Sequence, residues 1–483
     1  MTRYEAVIGL EIHVQIKTDT KAFCRCNGDY NAPPNRHICP VCTGAPGALP
    51  VLSDEFVRRA VLFCLALGAR VNLVSTFDRK NYFYPDMPKN YQITQFFTPI
   101  GSEGRLLVTG ADGVERAIGI ERIHMEEDTA RSAHMGERTL LNFNRAGLPL
   151  IEVVSHPDLR SGEEAAQYFK KIYDIAVKYL GICRGNMEEG NLRCDANISI
   201  RPVGSTALNT KTEVKNVNSF AFIAKAIDHE IERQIALVEA GGAVESETRL
   251  WNPKLKRTET MRKKSGRNDY RYFNEPDLGP LRITAEFVEE LRKTLPELPD
   301  AKRRRLKAYG INNEQTDLFV GYPEVGDYFI NATASNTLQP SEYPIVSSLV
   351  TGEILKYEDK EHFETVPQRI PPQHTASLAH LIHTGRVTWP QAKELFAMMR
   401  ETGSDPEEIV KNDPRFTAIG DDETAAIAAA VVADHPAETE KYLGGRENLL
   451  GFFVGQAMKR AKGKADPAKM SEMVKKELTN RKK

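Results

Sequence analysis

The 483-residue chain has almost no net charge, with 65 Lys and Arg against 66 Asp and Glu. A global basic field that would draw in nucleic acid is therefore absent, and any such contact has to be local. Long apolar runs are missing too. No stretch is long enough to span a bilayer, and the opening MTRYEAVIGLEIH has only a four-residue apolar run before a carboxylate, so no signal peptide is expected. No membrane partner is expected, and the cytosol is the expected compartment. Several catalytic signatures are also lacking: there is no G-x-x-x-x-G-K-[ST] phosphate loop, no protein-kinase signature set and no G-x-S-x-G nucleophile elbow. An ATP site would have to be built from an uncommon loop. What remains is ordinary globular composition, 41% hydrophobic and 27% charged, which argues against disorder. The length allows roughly two to four domains.

The densest group of metal-ligating side chains lies between residues 117 and 155: His124, Glu126, Glu127, Asp128 and, further on, Glu152. Glu152 sits inside an apolar run, after Leu150 and Ile151 and before Val153 and Val154, that reads as a buried strand. A carboxylate there costs on the order of several kcal/mol unless a cation or a donor faces it. Near the start of the chain, Glu11 and His13 alternate with Leu10, Ile12 and Val14, so a strand places both on one face. Two greasy strands bearing acids and a histidine, plus an acidic cluster, point to one divalent cation site. Mg²⁺ with positions left open for substrate phosphates suits such donors.

Four of the seven cysteines crowd into one window. Cys24 and Cys26 form a C-x-C pair, and Cys39 and Cys42 form a C-x-x-C pair twelve residues later. That spacing fits a tetrahedral four-thiolate zinc site, whose closed ligand set makes it a structural staple. Cys64, Cys183 and Cys194 lie in apolar surroundings and read as core.

Along the rest of the chain, residues 77–97 and 270–278 form two loops of similar make-up, rich in tyrosine, phenylalanine and basic residues. Either could stack a ring and contact phosphate, or could simply cover the core. A helix is expected from Ser161, through the stripe Tyr168, Ile172, Ile175 and Tyr179, to Gly181. Residues 192–200 alternate strictly, with Arg193, Asp195, Asn197 and Ser199 on one face. Residues 210–218 repeat the pattern with Lys211, Glu213, Lys215 and Asn218. These strands can form a polar cradle or a solvated sheet surface. A second helix is expected over 219–240. After the proline-rich stretch 295–300 the signals are almost all helical. From Gly455 to the end, ten basic residues face three acidic ones, the footprint of phosphate-backbone contact or of a solubilising tail. The expected architecture is α+β: a mixed-sheet cradle over 1–294, a helical domain over 295–405, and a small helical tail domain over 406–483. From residues alone, the chemistry is an Mg²⁺-dependent phosphoryl-transfer or ligase-type site with an RNA-binding helical end.

The segments VIGLEIHVQIKT, FDRKNYFYPDMPKNYQITQF, HMEEDTARS, NRAGLPLIEVVS, MEEGNLRCDANISIRP, EVKNVNSF and DYRYFNEPDL, with GFFVGQAMKRAKGKADP near the end, resemble in order the motifs of the B subunits of the aspartyl/glutamyl-tRNA amidotransferases. The resemblance implies a heterotrimer, completed by an amidase (glutaminase) as the A subunit and a small protein as the C subunit. It implies ATP-dependent conversion of misacylated Glu-tRNA(Gln) or Asp-tRNA(Asn) through an acyl phosphate, with ammonia from the amidase. It places the metal and catalytic residues on Glu11, His13, Glu126, Glu127 and Glu152. His13, Glu127 and Glu152 are then the expected Mg²⁺ ligands, with Glu11 and Glu126 assisting and His124 and Asp128 supporting. Arg193, Asp195, Asn197 and Lys215 become candidates for the substrate cradle or channel, and Lys459, Arg460, Lys462 and Lys464 for tRNA contact. Asn274 stands where the family usually has proline. A non-catalytic tRNA-binding scaffold is the alternative reading.

Overall fold

The computed structural model describes residues 4–215, 217, 219–263, 270–335, 338–416, 419–461 and 464–481. Contacts divide the chain into two compact units, Met1–Leu298 and Pro299–Lys483. The first is built on a nine-stranded sheet and the second on helices, an α+β architecture.

Across the sheet the strands run in the order Arg257–Lys263, Glu247–Asn252, Thr212–Lys215, Leu192–Pro202, Tyr4–Gln15, Pro149–Ser155, Glu115–Glu127, Gly101–Thr109 and Arg70–Val71. All neighbours are antiparallel except Thr212–Lys215 with Glu247–Asn252, which makes the sheet mixed. The period of two sorts its side chains. Leu10, Ile12, Val14, Ile123, Met125, Ile151, Val153, Cys194, Ala196 and Ile198 are buried on one face. Each full burial contributes about 1.5–3 kcal/mol for the larger aliphatics. The helices Gly162–Tyr173 and Phe220–Glu239 pack against the sheet and each other, capped by the hydroxyls of Ser161 and Ser219. The first does not continue as plain α-helix: Asp174–Tyr179 winds as a π-helix.

Phe220–Glu239 also carries a buried charge. Glu230 has no exposed surface and accepts hydrogen bonds from Arg233, Gln234 and Thr258 at 2.6–2.9 Å, with Arg249 at 3.5 Å. Burial opposes its ionisation, but Arg233, Gln234 and Thr258 outweigh that and hold its pKa below the ordinary carboxylate value. A lowered folded-state pKa contributes stability above the unfolded value, and this is lost as pH falls through the folded one. Glu230→Ala removes a buried acceptor from Arg233, Gln234 and Thr258 while Arg249 keeps Glu247 at 2.7 Å, and is expected to cost about 1–3 kcal/mol at neutral pH. The deficit should shrink as pH falls below about 4, as urea melts at pH 7 and about pH 3 would read out; a constant deficit would assign the loss to packing alone.

Two loops are drawn together beside the polar face. Asp78–Asn81 pairs with both Tyr91–Thr94 and Phe273–Asn274 in a separate three-stranded sheet. Asn274 donates to Asp78 Oδ1 at 3.1 Å, so this loop is tied by a side-chain bond where the resemblance leads one to expect proline. Arg79 grips Glu275 through two 2.8 Å bonds.

Among its described residues the second unit has two apolar cores. One includes Leu306, Phe319, Phe329, Leu349, Leu378, Leu395 and Phe416. The helix Pro406–Asn412, at the start of the expected tail segment, adds Ile409 and Val410 to this core, so the cores divide between Phe416 and Ala428. The other core joins the helices Asp421–Asp434, Leu450–Arg460 and Pro467–Asn480 through Val431, Phe453, Met470, Val474 and Leu478. Among the described residues no helix is long and apolar enough to cross a membrane.

Candidate active site and thiolate centre

The polar face of the sheet collects the chemistry. Register sets His13 opposite Glu152, and Glu152 opposite His124, across three adjacent strands. Glu126, two residues beyond His124, falls on the same face. His13 Nε2 lies 3.5 Å from Glu152 Oε2 and 3.7 Å from Glu126 Oε1. His124 Nε2 lies 3.0 Å from Glu152 Oε2 and 3.7 Å from Glu126 Oε2. One ligand atom from each of His13, Glu126 and Glu152 falls within 4.8 Å of the others. Two carboxylates at that spacing suit a hard dication whose sphere phosphates or water would complete, with the imidazole a softer third donor beside them.

On the other side of His13, register places Glu11 opposite Asp195, and Asn197 opposite Glu213. Asn197 donates to Glu11 Oε1 at 2.9 Å. Lys215 pairs with Asp195 and, at 3.1 Å, with Glu213, so an ammonium already occupies that second group of acids. Glu11, His13, His124, Glu152, Asp195, Asn197 and Lys215 line one cavity of about 650 Å³, with Lys80, Tyr270 and Tyr272 also in its wall.

The electrostatics follow from this crowding. Burial opposes ionisation of Glu152, but His124, His13 and Lys80 outweigh it and hold the carboxyl well below its usual range. Burial likewise opposes the charged form of His124, yet Glu152 and Glu126 raise its pKa to about 9. Lys80 is held protonated against burial by the same two acids. His124 Nδ1 is buried with no hydrogen-bond partner among the described residues.

Glu127 does not join the cluster. Adjacent to Glu126, it takes the opposite side of the strand, where it pairs with Lys89 and accepts the Ile93 N–H at 3.0 Å. The trio brought together is thus His13, Glu126 and Glu152, and not His13, Glu127 and Glu152. Asp128 binds Gln15 at 3.0 Å and draws Arg193 to 3.3 Å, so Arg193, unlike Asp195, Asn197 and Lys215, is not part of the cavity wall. His124 sits at the centre of the cluster, although the sequence reading gave it only a supporting place. The period of two linking it to Glu126 was the available signal. Lys89 and Tyr270 arrive from loops, and Lys80 from the four-residue strand Asp78–Asn81, too short for a periodicity to mark it.

Residues 6–289 match the family model for the GatB/GatE catalytic domain, and residues 327–478 match that for the GatB domain. The chain is 44% identical, over 99% of its length and 98% of the relative's, to the B subunit of an aspartyl/glutamyl-tRNA(Asn/Gln) amidotransferase in Crocosphaera subtropica. It is 44% identical to the B subunit of the same name in Geobacter sulfurreducens, over 98% of this chain and 99% of that one. The chain belongs to the GatB family. Every residue of the histidine–carboxylate cluster falls within the GatB/GatE catalytic-domain match.

Outside the cavity, the same GatB catalytic region holds the four cysteines. Ligand atoms of Cys24, Cys26, Cys39 and Cys42 all lie within 4.8 Å of one another, a spacing suited to one tetrahedral zinc ion. Cys42 Sγ accepts the Cys39 N–H at 3.2 Å and the ammonium of fully buried Lys21 at 3.5 Å. The Cys24 hydrogen bond, with Lys21 adding to it, overcomes burial and brings the Cys42 pKa down to about 4. Lys21 also donates to the Phe143 carbonyl at 3.0 Å. The turn beyond needs a glycine, because Gly147 has φ +83°, a left-handed conformation that strains any side chain, in contact with Cys42.

In the GatB-domain match, Lys459 and Arg460 end the helix Leu450–Arg460 and are exposed, and Arg460 pairs with Asp434 at 2.5 Å. Lys464 follows, half-buried, with its carbonyl accepting the Ile419 N–H. Lys462 lies outside the described residues.

Proposed function

We propose that this chain is the B subunit of an aspartyl/glutamyl-tRNA(Asn/Gln) amidotransferase and houses the site where a tRNA-borne carboxylate is activated with ATP and then amidated. The observation that carries the reading is the His13–Glu126–Glu152 cluster in a chain that matches such proteins over its whole length. A carboxylate will not accept ammonia at neutral pH, because the departing oxygen would leave as hydroxide or oxide. Phosphorylation supplies a good leaving group. The carboxylate oxygen attacks the γ-phosphorus and ADP departs. The lone pair of ammonia then attacks the acyl carbon, the C–O bond breaks, and phosphate leaves with its electron pair. Mg²⁺ held there would neutralise and orient the phosphates. His13, Glu126 and Glu152 would hold that ion, and His124 orients Glu152 through the 3.0 Å contact. Glu11 takes the proton lost by the attacking nitrogen; Asp195 is less suited, because Lys215 already holds it. A glutaminase partner supplies the ammonia, and a small third protein completes the heterotrimer.

The reading is tested with Glu-tRNA labelled with ¹⁸O in the side-chain carboxylate, ATP and an ammonium salt. Label is expected in inorganic phosphate. Unlabelled phosphate would remove the acyl phosphate, and absence of turnover with both partner proteins present would leave a tRNA-binding scaffold.

The basic end of the chain is read as tRNA contact. Replacing the exposed Lys459, Lys475 and Lys476 by alanine is expected to weaken tRNA binding and to flatten log K against log salt by about 1 for each phosphate no longer neutralised. Filter binding over a KCl series measures it, and an unchanged slope would make these lysines merely solubilising.

A further inference from the structure

One buried acid ties the two aromatic loops together. Asp78 has no exposed surface. Its Oδ2 accepts the Phe96 and Phe97 N–H groups at 2.6 and 3.0 Å, and its Oδ1 accepts Asn274 Nδ2 at 3.1 Å. Burial raises its pKa, against the pull of the two backbone amides. A carboxylate sealed off from water is costly unless donors satisfy it, and here the donors come from the ends of two segments far apart in sequence.

What the tie holds is a pair of rings. Phe96 and Tyr272, one from each loop, stack with centroids 4.1 Å apart and planes 9° from parallel. Phe97 meets Phe96 edge-on at 5.2 Å. Phe96 and Tyr272 both line the cavity that holds His13, His124 and Glu152. Phe96 is 44% exposed and Tyr272 is half-buried, which puts the stack at the mouth of that cavity. Burial raises the Tyr272 pKa, with Lys80 opposing and Tyr270, Glu126 and Glu152 adding, so the field of the acids reaches this ring.

The amidation chemistry has a competitor at that mouth. Water can attack the acyl carbon in place of ammonia. The C–O bond then breaks, phosphate leaves with its electron pair and the carboxylate returns, so ATP is consumed and no amide forms. We propose that the Phe96–Tyr272 stack is a water-excluding rim over the acyl phosphate, and that Asp78 is the positioning residue that holds it shut. The proposal rests on the amidation reading. Two rings in face-to-face contact leave no room for water between them. Asp78 reaches both sides of the stack, through the Phe96 N–H on one and through Asn274, two residues from Tyr272, on the other.

The test counts inorganic phosphate released per amide formed. The full-length chain is assembled with both partner proteins and given Glu-tRNA, ATP and an ammonium salt, and release with uncharged tRNA is subtracted. Full coupling gives one phosphate per amide. Phe96→Ala and Asp78→Ala are expected to raise the ratio about twofold or more at low ammonium, and the excess should fade as ammonium rises and outcompetes water. Asp78→Asn is the conservative control. Its amide oxygen can accept both N–H groups and its NH₂ can donate to Asn274 once that side chain turns over, so the ratio should stay near the parent's. A merely structural role would slow phosphate release and amidation together. An unchanged ratio in Phe96→Ala therefore overturns the proposal, and this half-exposed site decides the matter even if Asp78→Ala fails to fold. The ¹⁸O experiment reads separately: labelled phosphate alongside an unchanged ratio removes only the rim, whereas unlabelled phosphate removes the acyl phosphate itself.

Discussion

Glu152→Gln is expected to leave the chain folded and able to bind tRNA while lowering amidation on the order of 10²–10³-fold or more. The substitution keeps shape and hydrogen-bonding capacity but removes one of the two buried negative charges in the trio. The two carboxylates have ligand atoms within 4.8 Å of each other and of His13, a crowding of acids that opposite charge relieves. Glutamine can still bond to His124, now 3.0 Å away, so circular dichroism and the melting temperature should change little. Activity should instead show a raised Mg²⁺ requirement, with partial recovery at high metal. Glu126→Gln should behave in the same way. Glu127→Gln should not, because Glu127 pairs with Lys89 on the other side of the strand, and its Mg²⁺ dependence should stay near that of the parent. If Glu152→Gln amidates normally, or if Glu127→Gln and not Glu126→Gln shifts the Mg²⁺ requirement, the cluster is not the metal site.

That contrast shows how far the residues could be read without coordinates. Glu11 and His13 announced themselves by alternating with leucine, isoleucine and valine, and Glu152 by its place in an apolar run. These are local patterns, and the sheet places all three in one cavity. Choosing between Glu126 and Glu127 required knowing which face of their strand meets the His13 strand. That is set by pairing with Pro149–Ser155, a contact between distant segments. The period of two from His124 could have decided it, had the stretch been read as a strand and not as an acidic cluster. Arg193 alternates correctly with Asp195 and Asn197, yet the buried charge of Asp128 turns it aside, which no periodicity reports. The helix Gly162–Tyr173 was legible from its cap and stripe, whereas the π-helical turns after it left no mark in the pattern. The likeness of the two aromatic loops was visible, but their meeting depends on the pairing of Asp78–Asn81 with Phe273–Asn274.

The second large effect is expected at the cysteines. Cys42→Ser should abolish zinc retention, and with it the order of residues 21–50, because that segment has almost no regular hydrogen-bonded structure of its own. Structural zinc contributes about 10–16 kcal/mol to the folding of isolated fingers. Here Ala22 and Phe23 anchor part of the segment in the sheet core, so the loss should be local unfolding. Trypsin cleaving after Arg25 or Arg36, alongside one equivalent of zinc lost by elemental analysis, would report it. Lys21 refines the argument. Four thiolates around a dication keep a double negative charge, which is costly beside a core, and the buried ammonium 3.5 Å from Cys42 offsets part of it. Lys21→Met preserves the buried stem and removes the charge, so zinc affinity measured by chelator competition should fall by about 10–100-fold. The cobalt-substituted form should keep its tetrahedral thiolate spectrum, since no ligand is lost. Unaltered affinity would reduce Lys21 to a packing residue. A purified chain with no bound zinc, and equally resistant to trypsin before and after chelation, would mean the four thiols hold no staple.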